Sequence, residues 1–334
     1  MDVWKKRLNG DPVPWLLSSN PWTQYASMVN LLNISPASFE AKQVKKKLLE
    51  HPLVIDKIKE TEQWLTKAAT RNSDPNISYF KLRMLSEFEL NINDTGIEQI
   101  INKAISHKIE GMFAVRGRTP DMQQQGKEYV ASDPYADIWH ISPCNSPAIT
   151  YSLIKLGYMS EEVTRAVNAL CEKWDTPLGW FCHFFFVEGQ YKKLHAGCPM
   201  AGIMALDVFS LIPELKESIF ARNAFEPILF HRNYGKTIYY FGRSKKFWTM
   251  KFPFVWYNAL YLADVLTRFN FLKGNDLVED LIKWIESCQD EQGRFKATSV
   301  FMPYKEWDFS NKKVPSPWIT YLCCNILKRW YDQD

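Results

Sequence analysis

Nowhere in the 334 residues does an uncharged apolar run reach the roughly 18 residues that a membrane-spanning helix requires. The opening stretch MDVWKKRLNGDPVPWLL also lacks the continuous apolar core of a secretory leader. Charge of one sign is missing too. The 41 basic and 37 acidic residues leave a net charge of +4, too balanced to mark a nucleic-acid footprint, so any anion site must be local. A disulfide framework is absent, because the seven cysteines are odd in number and include the adjacent pair Cys323 and Cys324, a usage that fits a reducing compartment. Strand-type alternation is scarce. The expectation is a soluble, cytoplasmic protein with no transmembrane segment and no nucleic-acid partner, unless an exposed apolar patch docks it on a membrane.

What is present is ordinary globular material, 46% hydrophobic and 23% charged, which supplies a sizeable core without staples. The aromatic share is high, with Trp 13, Tyr 15 and Phe 21, and such rings either fill the space between helices or line a cavity. Internal repetition is the strongest signal. Proline-marked openings stand at Asn20-Pro21, Asp74-Pro75, Ser146-Pro147, Cys198-Pro199, Phe252-Pro253 and Ser316-Pro317, separated by 54, 72, 52, 54 and 64 residues. Those intervals suit two helices plus their connections. Apolar stretches such as Ile149, Leu153, Ile154 and Leu156 follow, then a polar break, then a second amphipathic segment such as Val163, Val167 and Leu170, all at helical spacing. Several second helices are expected to end in a glycine turn carrying an aromatic residue: Glu110-Gly111-Met112-Phe113, Leu178-Gly179-Trp180-Phe181 and Gln292-Gly293-Arg294-Phe295.

Six openings predict five hairpins and a closing helix, Trp318 to Trp330. A hairpin that cannot bury its apolar faces alone must stack on its neighbours. The fold class expected is all-α, an α/α toroid of about six helical hairpins forming a single domain over 1–334. The alternative is an open α-solenoid. One stretch breaks the rhythm: Arg232 to Lys251 is basic and aromatic with no acid, which suggests a long connection crossing one mouth of the ring.

A set of local sequences carries a family likeness: Pro14-Trp15-Leu16-Leu17 with Asn20-Pro21, Cys144-Asn145-Ser146-Pro147 with Leu156-Gly157-Tyr158, Gly179-Trp180-Phe181-Cys182, His195-Ala196-Gly197-Cys198, Phe252-Pro253 with Trp256, Asp290-Glu291-Gln292-Gly293-Arg294-Phe295, and Trp318-Ile319-Thr320. Over nearly the whole chain this resembles uncharacterised proteins with prenyltransferase and squalene-cyclase-like repeats. The resemblance implies the toroid but not one chemistry, since one such fold hosts several. The D-x-D-D acid run of class II terpene cyclases is absent, as are the D-x-C zinc motif of protein prenyltransferases and a D-D-x-x-D run for magnesium diphosphate.

The best chemical candidate is a concentration of soft ligands, His140, Cys144, Cys182, His183, His195 and Cys198, in four segments within 59 positions. Cys144 and Cys198 open successive first helices, and Cys182 follows the glycine turn between them. Thiolates and an imidazole converging there would satisfy tetrahedral zinc, with Cys144, Cys182, His195 and Cys198 as the expected ligands and His140 and His183 as substitutes. Cys182-His183 also resembles the Cys-His dipeptide of lanthionine cyclases, without its flanking glycines. The competing reading makes the cysteines small buried apolar residues. Asp137, three residues before His140, can orient that imidazole or act as a general acid, and the two are the catalytic candidates; Asp133 reads better as a helix cap. Arg232, Arg243, Lys245 and Lys246 could clamp a diphosphate or carboxylate at the cavity rim, with Trp256 shaping the substrate's place. Tyr151, Tyr257, Tyr261, Trp318 and Tyr321 are further rings expected on inner helices. The function expected is an enzyme-like toroid that binds a small or isoprenoid-like substrate, with zinc as its cofactor. The alternative is a non-catalytic binding or scaffold protein.

Overall fold

The computed structural model describes residues 3–65, 73–116, 139–176, 179–180, 197–234 and 244–332. Asp137, Cys182, His195 and Arg243, together with Asp133 and His183, lie outside them. The described chain is mostly helical, as expected, with fourteen α-helices and strands of two residues each. Its helices are α1 (Val13–Leu17), α2 (Pro21–Ala26), α3 (Phe39–Leu49), α4 (Pro52–Glu62), α5 (Ser78–Glu87), α6 (Ile97–Ala104), α7 (Ser146–Lys155), α8 (Glu161–Lys173), α9 (Pro199–Phe209), α10 (Pro213–Lys216), α11 (Ile219–Tyr234), α12 (Ala259–Leu266), α13 (Asp276–Ser287) and α14 (Pro317–Tyr331). The strands β1 (Lys108–Ile109) and β2 (Met112–Phe113) form one antiparallel pair, and β3 (Val115–Arg116) and β4 (Trp139–His140) another.

Two kinds of helix alternate. After each of the six proline-marked openings comes a helix buried over most of its surface: α2, α5, α7, α9, α12 and α14. Every residue of α9 and of α12 is buried. Between them run helices with one apolar stripe. In α8 the stripe is Val163, Ala166, Val167 and Leu170, and in α13 it is Leu277, Val278, Leu281, Ile282 and Ile285. A helix that is apolar all round must be enclosed, whereas a striped one keeps a face for water. The starts are chemically defined: the side chains of Asn20, Ser160, Asn258 and Ser316 accept hydrogen bonds from the N–H groups of Thr23, Val163, Tyr261 and Ile319.

Contacts group the chain into two compact units. The first comprises Met1–Lys57, Glu87–Leu90 and Gly242–Asp334, the second Ile58–Ser86 and Asn91–Phe241. In the first unit the two ends of the chain meet. The Trp4 N–H donates to Asp332 Oδ1 at 3.3 Å, and the Arg7 guanidinium lies 4.5 Å from the Tyr331 ring. Lys328 donates to the Asn30 and Leu31 carbonyls and to Asn33 Oδ1, closing the turn of π-helix that continues α2. Its core is a layer of rings, in which Phe88 packs on Trp22, Trp307, Phe252 and Trp318. Asp308 holds the layer by accepting from Trp22 Nε1, Ser316 Oγ and the Trp318 N–H at 2.8–3.0 Å. Burial raises the pKa of its carboxyl, against the lowering effect of those bonds.

In the second unit α9 packs on both α7 and α11, and α8 packs on α7. Gly202 permits the close approach of α9 and α11, because a Cβ there would stand 2.3 Å from the Ala224 carbonyl oxygen.

Three local expectations are corrected. Glu110 and Gly111 do not end a helix; both have positive φ, 48° and 79°, and turn the β1–β2 hairpin. Gly293 comes after α13 has ended at Ser287, in a turn closed by Asp290, whose Oδ1 accepts from the Gln292 and Arg294 N–H groups. Trp256 and Tyr257 stand before α12 rather than on it, since the chain from Pro253 stays irregular until the Asn258 cap.

Candidate functional site

The second unit brings chemically capable side chains together on its buried helices. Arg83 of α5 and Asp207 of α9 form an ion pair at 2.6 Å, with side chains 1% and 0% exposed. The same guanidinium lies 4.6 Å from the Tyr151 ring of α7 and donates to Met204 Sδ at 3.8 Å. Three successive buried helices thus share one polar junction. A charge in such surroundings is tolerated only when paired and well bonded. One turn before Arg83, Tyr79 is fully buried, and its phenol is pushed well above the usual range by burial and then by the nearby Cys144 and Asp74.

Cys144 precedes α7 by two residues and Cys198 caps α9, as the repeat predicts. Both are buried. The Ser146 hydroxyl accepts from the Ser142 N–H, which fixes the chain around Cys144, and the Cys198 N–H donates to the Trp180 carbonyl. Of the expected zinc ligands only Cys144 and Cys198 are described; Cys182 and His195 lie outside the described residues. Among the described residues no group of three or more His, Cys, Asp or Glu side chains is placed to hold a metal ion.

His140 is half-buried in β4, where it pairs with Val115 of β3, ahead of α7. Arg232 is likewise not on a loop but in the last turn of α11, half-buried. Its neighbour His231 is buried, and Nε2 donates to the Gly197 carbonyl at 3.1 Å, one residue before Cys198. Burial lowers the His231 pKa to about 4, although that hydrogen bond acts in the opposite direction.

Lys245, Lys246 and Trp256 belong to the first unit; the lysines are exposed and the indole is half-buried. The candidate residues are therefore divided between the two units, with Cys144, Cys198, His140 and Arg232 in one and these three in the other.

Sequence reasoning missed Arg83, Asp207 and His231. Asp207 had a readable signal, a lone acid in the otherwise apolar helix PMAGIMALDVF, and Asp264 in ALYLADVL repeats it. Asp264 is also paired, with Arg268 and with Arg329, whose Nη2 lies 2.6 Å from Oδ1. No family model, curated protein or solved structure matches the chain.

Proposed function

We propose that the chain is an enzyme-like α/α toroid that takes a small, apolar or isoprenoid-like substrate between its buried helices and holds zinc through Cys144, Cys182, His195 and Cys198. The observation that carries this reading is the alternation itself: six buried helices follow six proline-marked openings, five of them followed by a water-facing helix before the next. An inner and an outer layer of helices produce that alternation. In such a ring Cys144 and Cys198 begin inner helices, and bound zinc would supply Lewis acidity or activate a water or thiol.

The test is elemental analysis of the purified protein and of Cys144→Ala, Cys182→Ala and Cys198→Ala. Stoichiometric zinc lost in each variant, together with stability, is the expected result. Metal-free wild-type protein that remains folded sinks the zinc reading.

The second reading, a non-catalytic binding or scaffold protein, is favoured by one observation. The junction of α5, α7 and α9 is occupied by the Arg83–Asp207 pair and the Tyr151 ring, groups that lock helices together without being reachable from water.

A further inference from the structure

In the first unit, two stretches distant in sequence are joined into one surface. The Met250 N–H donates to Thr298 Oγ1 at 2.9 Å, and the Thr298 N–H donates to the Met250 carbonyl at 3.0 Å. Beside that join the Lys251 ammonium lies 3.5 Å from the centre of the Phe301 ring. Asn258 Nδ2 donates to the Lys251 and Trp256 carbonyls, and the Ala259 N–H donates to the Phe247 carbonyl, so the turn bearing Lys245 and Lys246 is tied to the same place.

The charge of these two stretches is one-sided, although Asp290, Glu291 and Glu306 flank the second. Residues 244–258 and 292–305 contain Lys245, Lys246, Lys251, Arg294, Lys296 and Lys305 and no acidic residue, in a chain whose whole net charge is +4. Lys305 is offset by Glu306 at 3.7 Å. Apolar groups stand beside the cations. Met302 is 70% exposed, and Phe301, Trp248, Trp256 and Tyr257 are half-exposed. Met302 is the first residue of a short 3-10 turn anchored by the buried Tyr304, so it is presented on an ordered piece of chain. Burial lowers the Lys251 pKa, the mark of a cation only partly served by water.

Lysines with rings and an exposed methionine match the interface of an anionic bilayer. There the cations meet lipid phosphates, the rings sit at headgroup level and the apolar tip enters the acyl boundary. No described helix is long and apolar enough to cross a membrane. We infer that this face docks the protein peripherally on an anionic lipid surface through Lys245, Lys246, Lys251 and Lys296, with Phe301 and Met302 as the inserted apolar edge. This does not depend on the function proposed above, because docking requires neither zinc nor a substrate.

The test is co-sedimentation of the full chain with phosphatidylcholine vesicles made with and without phosphatidylglycerol, at low and high salt. Binding to the anionic vesicles at low salt, weakened by added salt, is expected. Lys245→Glu combined with Lys246→Glu should lower partitioning roughly 25-fold or more, as each lysine near such a surface contributes about fivefold. Met302→Asp should lower it with circular dichroism unchanged. All three substituted side chains are exposed, which keeps loss of fold separable from loss of binding. Failure to sediment with anionic vesicles at low salt overturns the inference, and so does equal binding to both vesicle types or indifference to both variants. Binding to a single-stranded oligonucleotide without binding to the anionic vesicles would assign the face to nucleic acid and overturn it as well.

Discussion

Replacing Asp207 with asparagine removes the carboxylate that pairs with the Arg83 guanidinium, whose side chain is 1% exposed. At 2.6 Å and an effective dielectric of about 20, the gross attraction between the two is about 6 kcal/mol, most of it offset by the cost of taking both groups out of water. Removing one partner keeps that cost and loses the attraction, so a destabilisation of about 3–5 kcal/mol is expected. Solvent screening gives no reason to discount it, since neither side chain reaches water, and added salt should change it little. The Tyr151 ring and Met204 remain beside the cation and do not replace a carboxylate. Arg83→Met combined with Asp207→Leu removes both charges at similar volume and should return to within about 1 kcal/mol of the parent. The assay is urea unfolding followed by tryptophan fluorescence and circular dichroism, read as free energies where the two transitions coincide. An Asp207→Asn cost below about 1 kcal/mol, or a double variant as damaged as the single, would refute the reasoning.

Two further outcomes follow from the structure. His231 has a folded pKa of about 4 against about 6.5 in the unfolded chain, so its contribution is complete above pH of about 6.5 and is lost as pH falls toward 4, a fall of about 3 kcal/mol at most. Urea midpoints measured across that window should show the decline in the parent and a flatter profile in His231→Gln; identical profiles would remove His231 as the cause. Gly293→Ala should cost more than about 1 kcal/mol, because φ is +71° and the new Cβ would stand 2.5 Å from the Gly10 carbonyl oxygen. A midpoint shift within error would show that the N-terminal segment yields easily.

The helices were legible because the cues that made them are local. The Asn20 and Ser316 caps stand immediately before proline, and α14 covers the expected Trp318 to Trp330 with one residue more at each end. Where the cue was a glycine alone, the reading went astray. A positive φ is required equally by a helix stop, a hairpin and an open turn, and only neighbouring partners distinguish them: Glu110 with its own positive φ in the hairpin, Asp290 accepting two N–H groups in the turn. Trp256 shows the same limit, since Pro253 announces a helix that starts six residues later, when Asn258 caps it.

The chemistry was less legible, for a different physical reason. Cysteines and histidines announce themselves by type, whereas an ion pair between helices far apart in sequence exists only after the chain has folded. The half that could be read was the acid. An aspartate in a helix buried on every side is affordable only with a cation at hand, and the second unit and the first each contain such a helix, α9 with Asp207 and α12 with Asp264. Their local sequences, Ala205-Leu206-Asp207-Val208 and Leu262-Ala263-Asp264-Val265, place the acid alike, and arginine answers it both times: Arg83 from another helix, and Arg268 and Arg329 from the following turn and the last helix. Two of the six buried helices carry such an aspartate, and a different arginine donor answers it each time. In a helical repeat protein each buried helix must be held in register with its neighbours, and apolar contacts alone set register weakly. A charge that has one place to find its partner sets it strongly. The same logic bears on the function proposed above, because buried helices pinned by such pairs can flank a bound molecule without moving.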